Sequence, residues 1–350
     1  MVRARPRRQA RAARVEHRRR ARHRPPARLR PAGHGPRRVR HRLALHRRPD
    51  DRPLDARRGR DAPDPGRPGP RRHARPRAPR ALLRRRRAAR ERGVSPRSLV
   101  VTGAASGIGR AVAVGAARDG WFVHVLDLDP DGAAATVDLA RESGGDGRAH
   151  VLDVTDAAAV AAAVGTAADS GPPLRGLFAG AGIDVGGAAH ELEPATWRRV
   201  LDVNVTGTFL VVREVLRTMV ADGGGSVVLC GSPAATVGFA AGGATAYGAS
   251  KGAISSMVRT LAVDYARHGV RVNAIVPGPT ETPLMWANVP ADEVDATRAQ
   301  IEREVPLGRL ARPEEIAEPV LWLLSDRSSY TTGSLVGCDG GVLAKSSISV

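Results

Sequence analysis

The chain has 350 residues, 42% hydrophobic and 26% charged, with a formal net charge of +20. The excess is confined to residues 1–93, which hold 35 Arg, no Lys and seven acids, so that the 20 basic and 28 acidic residues left for 94–350 make that part mildly acidic. No uninterrupted apolar run reaches the ~18 residues of a membrane span, and no apolar stretch follows the N-terminal arginines as it would in a secretion signal. The expected location is the cytoplasm.

Residues 1–93 lack Ile, Phe, Tyr, Trp, Thr, Ser, Asn and Cys and carry 13 Pro. Such a segment cannot bury enough apolar surface to offset chain entropy and is expected to be disordered. Three readings of it stand open. The favoured one is a mis-assigned start, because Arg, Ala, Pro, Gly and His are what a GC-rich frame yields upstream of a true start near Val94. The second is a real basic arm that binds nucleic acid or an anionic membrane through its phosphates. The third, a targeting peptide, fits poorly with a Pro-broken, Ser-free segment. The division expected is therefore 1–93 as an Arg/Pro-rich segment and 94–350 as one domain.

From Ser98 onward, short β-branched runs alternate with longer Ala-rich amphipathic ones. Strands are predicted at 98–102, 121–127, 148–152, 174–179, 226–230, 270–276 and 334–336. Helices are predicted between them, including 108–119, 156–169, 194–221, 245–268 and 313–324. Strands alternating with helices imply right-handed crossovers and an α/β fold: one doubly wound domain with a parallel sheet of about seven strands covered on both faces. The stretch 279–306, broken by Pro279, Pro283, Pro290 and Pro306, reads as a mobile cover over a site.

The first strand runs into Thr102-Gly103-Ala-Ala-Ser106-Gly107-Ile108-Gly109, which opens the first helix. Glycines there let the backbone turn tightly and approach a pyrophosphate seated on a helix N-terminus. The second strand ends at Asp127, about 20 residues beyond the glycines. An acid there accepts hydrogen bonds from adenosine ribose hydroxyls and repels a 2′-phosphate, which argues for NAD over NADP. Its alternative is a helix N-cap, a task Asp129 could serve equally. Asp153, in Leu152-Asp153-Val154, either reaches an adenine edge or caps the following helix.

Tyr247 and Lys251 are four apart in a predicted helix, so phenol and ammonium share a face. A free tyrosine has a pKa near 10 and is a poor base at neutral pH. A neighbouring cation favours the phenolate, and the expectation is a lowered pKa and a usable proton shuttle. Ser232 lies just past the fifth strand, at the sheet edge where such folds bind ligands. Asn204 is an indifferent helix former in the middle of a helix, which leaves a functional role and a buried backbone-satisfying amide both open. Pro277-Gly278-Pro-Thr280-Glu-Thr282 leads into the cover.

Taken together, the loop 102–109, Asn204, Ser232, Tyr247, Lys251 and Pro277-Gly278 resemble the short-chain dehydrogenase/reductase family, over about residues 98–344. The resemblance implies a Rossmann-type NAD(P)-dependent oxidoreductase acting on a small alcohol or ketone. It implies Tyr247 as acid/base, Lys251 as its cationic partner and a holder of the nicotinamide ribose, and Ser232 on the substrate oxygen. Asn204 would anchor a relay water, and Thr282 would contact the nicotinamide carboxamide or phosphate. The implied cofactor contacts are Thr102, Gly103, Ser106, Gly107, Ile108, Gly109, Asp127, Asp153, Val154, Ala181, Gly182, Tyr247, Lys251, Pro277, Gly278, Thr280 and Thr282. The family commonly forms tetramers, with the helices around Asn204 and Tyr247 as the dimerising pair.

Two departures stand out. Ala179-Gly180-Ala181-Gly182 replaces the family's Asn-Asn-Ala-Gly, removing the side-chain amides that brace that region, at a cost expected in cofactor affinity and not in the chemistry. Ser232 and Tyr247 are 15 apart, wider than usual, which a loop absorbs cheaply; Thr236 is the weaker candidate for the serine's place. Substrate is expected against Ile183, Asp184, Ala234, Phe239, Met285 and Trp286. Asp184 either reaches a polyhydroxylated substrate or is a solvated loop carboxylate, the favoured reading. Cys230 and Cys338 read as buried free thiols. His124, His150, His190 and His268 lack metal-ligand spacing, and no metal is expected. An alternative function, a cofactor-sensing or nucleic-acid/membrane-associated protein dominated by its basic arm, remains open.

Overall fold

A computed structural model describes residues 96–239 and 242–345. The expectations for residues 1–93 lie outside the described residues. Among the described residues seven strands form one sheet: β1 (Arg97–Thr102), β2 (Trp121–Asp127), β3 (Asp146–Val151), β4 (Leu174–Ala179), β5 (Gly225–Cys230), β6 (Val270–Pro277) and β7 (Leu335–Cys338). Every pairing is parallel, in the order β3-β2-β1-β4-β5-β6-β7. Strand runs such as Leu99–Thr102 are continuously apolar or β-branched because helices cover both faces, leaving no polar side.

The helices are α1 (Gly107–Arg118), α2 (Pro130–Glu142), α3 (Ala157–Asp169), α4 (Pro194–Leu201), α5 (Thr208–Asp222), α6 (Thr245–Tyr265), α7 (Pro283–Trp286), α8 (Val294–Glu304) and α9 (Pro313–Leu324). One core packs α1, α2 and α9 on the sheet through residues such as Val112, Val137 and Ile316. The other packs α3, α5 and α6 through Val164, Val215 and Ile254. No range was predicted for α2, only a helix here capped by Asp127 or Asp129. Pro130 at its first position, with the Asp129 carboxylate accepting from Asp131 N and Gly132 N, is a sufficient start signal.

Two prolines sit where proline costs little or is compensated. Pro283 opens α7 and is capped by Thr282. Pro319 lies inside α9 and cannot donate to the Glu315 carbonyl. The Cys338 thiol donates to that carbonyl instead, at 3.6 Å.

The predicted 194–221 helix is interrupted. Between α4 and α5 the chain makes a π-helical turn, Asp202–Gly207. A β-carbon at Gly207 would fall 2.7 Å from Val154 Cγ2, so the widened turn comes close to the loop after β3. Such turns are frequent at functional sites, and this one carries Asn204. The predicted cover also has more structure than its prolines suggested: α8 supplies eleven helical residues.

Candidate active site

The strand order reverses between β1 and β4, which opens a crevice at their carboxyl ends. The loops after these two strands touch. Gly180 N and Ala181 N both donate to Thr102 Oγ1 at 3.2 Å. A β-carbon on Gly103, whose φ is +67°, would fall 2.7 Å from Ala181 N. Only glycine fits that contact and that backbone region.

The loop continues under Asn204, which is fully buried. Its Oδ1 accepts from Ile183 N at 2.8 Å, while Nδ2 donates to Ile183 O at 2.9 Å and to Ser250 Oγ at 3.0 Å. The bracing expected to be missing from Ala179–Gly182 is therefore supplied from outside, by Thr102 and Asn204. Of the two readings of Asn204, its side chain here follows the backbone-satisfying one. Ser250, which sequence reasoning passed over, carries the contact onward by donating to Tyr247 O at 2.7 Å. Its place inside Tyr247-Gly-Ala-Ser250-Lys251 was the available signal.

Helix α6 begins two residues before Tyr247, so one turn later Lys251 lies beneath the phenol. Lys251 Nζ is 5.4 Å from the Tyr247 ring centroid and donates to Cys230 O at 2.8 Å. Ser232 is buried at the end of β5 and caps a 3-10 turn, Pro233–Ala235, with Oγ accepting from Ala234 N at 3.2 Å. It is also within hydrogen-bonding influence of the phenol. Thr236 is exposed and donates its hydroxyl to Pro233 O, which leaves it outside the cluster.

The cover approaches from the other side. Thr282 Cγ2 would stand 3.0 Å from a β-carbon on Gly107, so this glycine lets the cover lie on the glycine-rich loop. Thr280 is buried and donates to Gly278 O at 2.8 Å, and Gly278 packs on the Asp339 backbone. The Glu281 carboxylate accepts from Trp286 Nε1 at 2.8 Å and forms a two-pronged pair with Arg298 of α8. The Arg298 guanidinium lies 4.8 Å from the Trp286 ring centroid. Asn288 Nδ2 donates to Asp184 O at 2.9 Å, joining the cover to the loop after β4.

The family model described as enoyl-(acyl carrier protein) reductase matches residues 103–343. A 2-(S)-hydroxypropyl-CoM dehydrogenase from Xanthobacter autotrophicus is 38% identical over 70% of this chain and 96% of its own length. The cis-4-hydroxycyclohexanecarboxylate dehydrogenase of Sinomonas cyclohexanicum is 41% identical over 71% of this chain and 97% of its own. A solved structure of a putative NAD(P)-dependent gluconate 5-dehydrogenase from Beutenbergia cavernae, with bound NADP, superposes with a TM-score of 0.67 at 36% identity, covering 72% and 98% of the two chains. The chain belongs to the short-chain dehydrogenase/reductase family. It is an oxidoreductase acting on CH–OH groups with a nicotinamide cofactor.

The crevice of this short-chain dehydrogenase/reductase suits such a dinucleotide. Ser106 makes no side-chain cap to α1, and the first turn holds no acid, so amides at a twelve-residue helix's N-terminus face the crevice unoccupied by side chains. The Arg110 guanidinium is turned inward onto Thr136 Oγ1 and the Ala105 carbonyl. Asp127 does not cap α2; it accepts from Ala105 N at 2.8 Å and Asp129 N at 3.1 Å, leaving lone pairs for further donors. Asp153 does not cap α3 either, because Asp156 does. Asp153 accepts from Thr155 N and Oγ1, which hold its carboxyl below the usual range, and pairs with Arg199 at 3.4 Å.

One electrostatic expectation is corrected. Burial is the largest influence on Tyr247 and pushes its phenol above the ordinary value of 10. Lys251 and the Ser232 hydrogen bond pull down, while Cys230 and Asp184 push up. The cation thus offsets a desolvation cost and does not by itself create a neutral-pH base. Both cysteines are free and, as whole residues, half-buried, and burial of its thiol raises Cys230. Among the described residues no cluster of three or more His, Cys, Asp and Glu could hold a metal, and no helix is long and apolar enough to cross a membrane.

Proposed function

We propose that this dehydrogenase uses NAD to oxidise a secondary alcohol, or reduces the matching ketone, with Tyr247 as its acid/base. The observation that carries the reading is the convergence of Ser232, Tyr247 and Lys251 at the carboxyl end of β5, beside the dinucleotide crevice. In oxidation, the Tyr247 oxygen takes the proton of the substrate hydroxyl. Ser232 donates to the substrate oxygen and steadies charge as it changes there. Lys251 holds positive charge against the phenolate. The bound nicotinamide supplies the hydride chemistry, and the chain orients it. Asn204 is a positioning residue that fixes the Ile183 backbone and, through Ser250, the start of α6.

NAD preference rests on Asp127, whose negative charge at the end of β2 disfavours a second phosphate. Residues 94–350 form the catalytic domain in this reading, with 279–306 closing over substrate. The enzyme is a cytoplasmic homotetramer that pairs through α5 and α6, whose Phe209 and Val263 are exposed large apolar side chains in the single chain. Light scattering at low micromolar concentration checks the tetramer. The central test follows reduced nicotinamide by absorbance with NAD and NADP against secondary alcohols. Turnover preferring NAD and lost in Tyr247→Phe supports the proposal. Full activity in Tyr247→Phe overturns it.

A further inference from the structure

A line of three hydrogen bonds runs behind the glycine-rich loop and ends on Asp127. Arg110 Nε donates to Thr136 Oγ1 at 3.0 Å, and the Thr136 hydroxyl lies 2.8 Å from Ala104 O and 2.9 Å from Gly132 O. Its one proton serves one of these carbonyls at a time. Gly132 O belongs to the α2 ladder, whereas Ala104 is fully buried and its carbonyl takes no other hydrogen bond from the described residues. A buried carbonyl left unpaired is costly, so the proton goes to Ala104 O.

The same peptide group presents Ala105 N, which donates to Asp127 Oδ2 at 2.8 Å. The 104–105 peptide is thus held at both ends, its carbonyl by Thr136 and its N–H by Asp127. Every donor in the line points the same way, from a guanidinium at one end to a carboxylate at the other. Donation to a carbonyl makes the N–H of that peptide a stronger donor, so Thr136 strengthens the bond on Asp127. Arg110 also donates to Ala105 O, and a β-carbon on Gly132 would fall 2.7 Å from Ala105 Cβ, so α2 closes tightly on the loop. Asp129 N holds the other carboxylate oxygen at 3.1 Å, which orients Asp127 before a cofactor arrives. Thr136 is fully buried, so its influence on a bound cofactor passes through this peptide.

We propose that Thr136, oriented by Arg110, is a positioning residue for cofactor choice. Through the 104–105 peptide it holds the Asp127 carboxylate where it accepts from an adenosine 2′-hydroxyl and rejects a 2′-phosphate. The inference rests on the reading of Asp127 as the group that selects NAD. Without the Thr136 hydroxyl the peptide is free to turn and the carboxylate loses one of its two anchors. NAD then suffers, while NADP, which gains nothing from that anchor, is spared.

The test is calorimetric titration of the full chain with NAD and with NADP. Thr136→Val keeps the shape of the side chain and removes the hydroxyl. It should weaken NAD by about 3- to 10-fold, the net worth of one hydrogen bond, and leave NADP within about twofold. Thr136→Ser should restore the wild-type ratio of the two Kd values. In an Asp127→Ser background Thr136→Val should leave the ratio unchanged, because the group it acts through is gone. Arg110→Met, at a partly exposed position, should move the ratio in the same direction, and it carries the test if thermal melting shows Thr136→Val unfolded. Equal weakening of NAD and NADP, a Thr136→Ser variant as impaired as Thr136→Val, or an effect that persists in the Asp127→Ser background overturns the proposal. A ratio that shifts in Asp127→Ser but in neither Thr136→Val nor Arg110→Met sinks this inference alone. An Asp127→Ser ratio equal to that of wild type sinks the Asp127 reading, and this inference with it.

Discussion

Lys251 Nζ donates to the carbonyl of Cys230 at 2.8 Å, which ties the cation of α6 to the last residue of β5. The same strand end leads into Ser232. One hydrogen bond therefore sets the spacing between the helix that carries the phenol and the strand that carries the hydroxyl.

The first prediction concerns pH. Burial raises the Tyr247 phenol and Lys251 partly offsets the rise. Oxidation needs the phenolate, so kcat/KM for the alcohol should climb about tenfold per pH unit below the phenol's pKa and then level. Ketone reduction needs the phenol and should be level below that pKa and fall above it. Removing the offset in Lys251→Met should move the rise to higher pH. A pH–rate profile that stays put in Lys251→Met would refute the electrostatic role.

The second prediction concerns the cofactor. Asp127 accepts from Ala105 N and Asp129 N and so carries its charge at the edge of the glycine-rich loop. Asp127→Ser should cost NAD about tenfold in kcat/KM, the order of one charge-assisted hydrogen bond. NADP should gain by a similar factor as the repulsion disappears. Steady-state kinetics with both cofactors decides it, and an unchanged ratio would remove Asp127 from recognition.

Much of this was legible in the chain because each signal was local. The strands read as continuous β-branched runs, and the glycine-rich loop and the Tyr247–Lys251 pair lie within single turns. What escaped were effects that depend on chains distant in sequence. The π-helical turn at Asn204 is invisible to a 3.6-residue period, and its amide's partner, Ile183, is 21 residues away. Helix α8 was hidden because prolines flank it, although the Glu281–Arg298 pair across 17 residues holds it in place. The net rise of the Tyr247 phenol could not be read from spacing, since spacing reveals the cation but not the burial.

The third prediction tests the cover. Glu281 joins the stem of the cover, α7 through Trp286 and α8 through Arg298. The pair is partly exposed, so Glu281→Gln should change global stability by under about 1 kcal/mol. The cover itself should loosen, which raises KM several-fold with little change in kcat. Trp286 emission should shift in the variant without substrate and recover on saturation. A kcat loss with unchanged KM would mean that Glu281 acts on the chemistry and not on closure.

The fourth prediction concerns stability in acid. His124 is fully buried on β2, with Nδ1 3.1 Å from His150 Nε2 of β3 and Nε2 without a hydrogen-bond partner among the described residues. Burial, then His150 and Arg148, lower the His124 pKa to about 4, and burial lowers His150 as well. The unfolded chain takes up a proton near pH 6.5 while the folded one resists until about 4. Folding stability is therefore undiminished by this group above pH 6.5, falls as pH drops through that window, and levels below it. The loss is at most about 3 kcal/mol. Thermal melts between pH 7 and 4 should show a steep decline in wild type and a shallower one in His124→Phe, which keeps an aromatic ring beside Phe122 and removes the titrating group. Equal slopes for the two proteins would show that carboxylates elsewhere, and not this pair, set the acid limit.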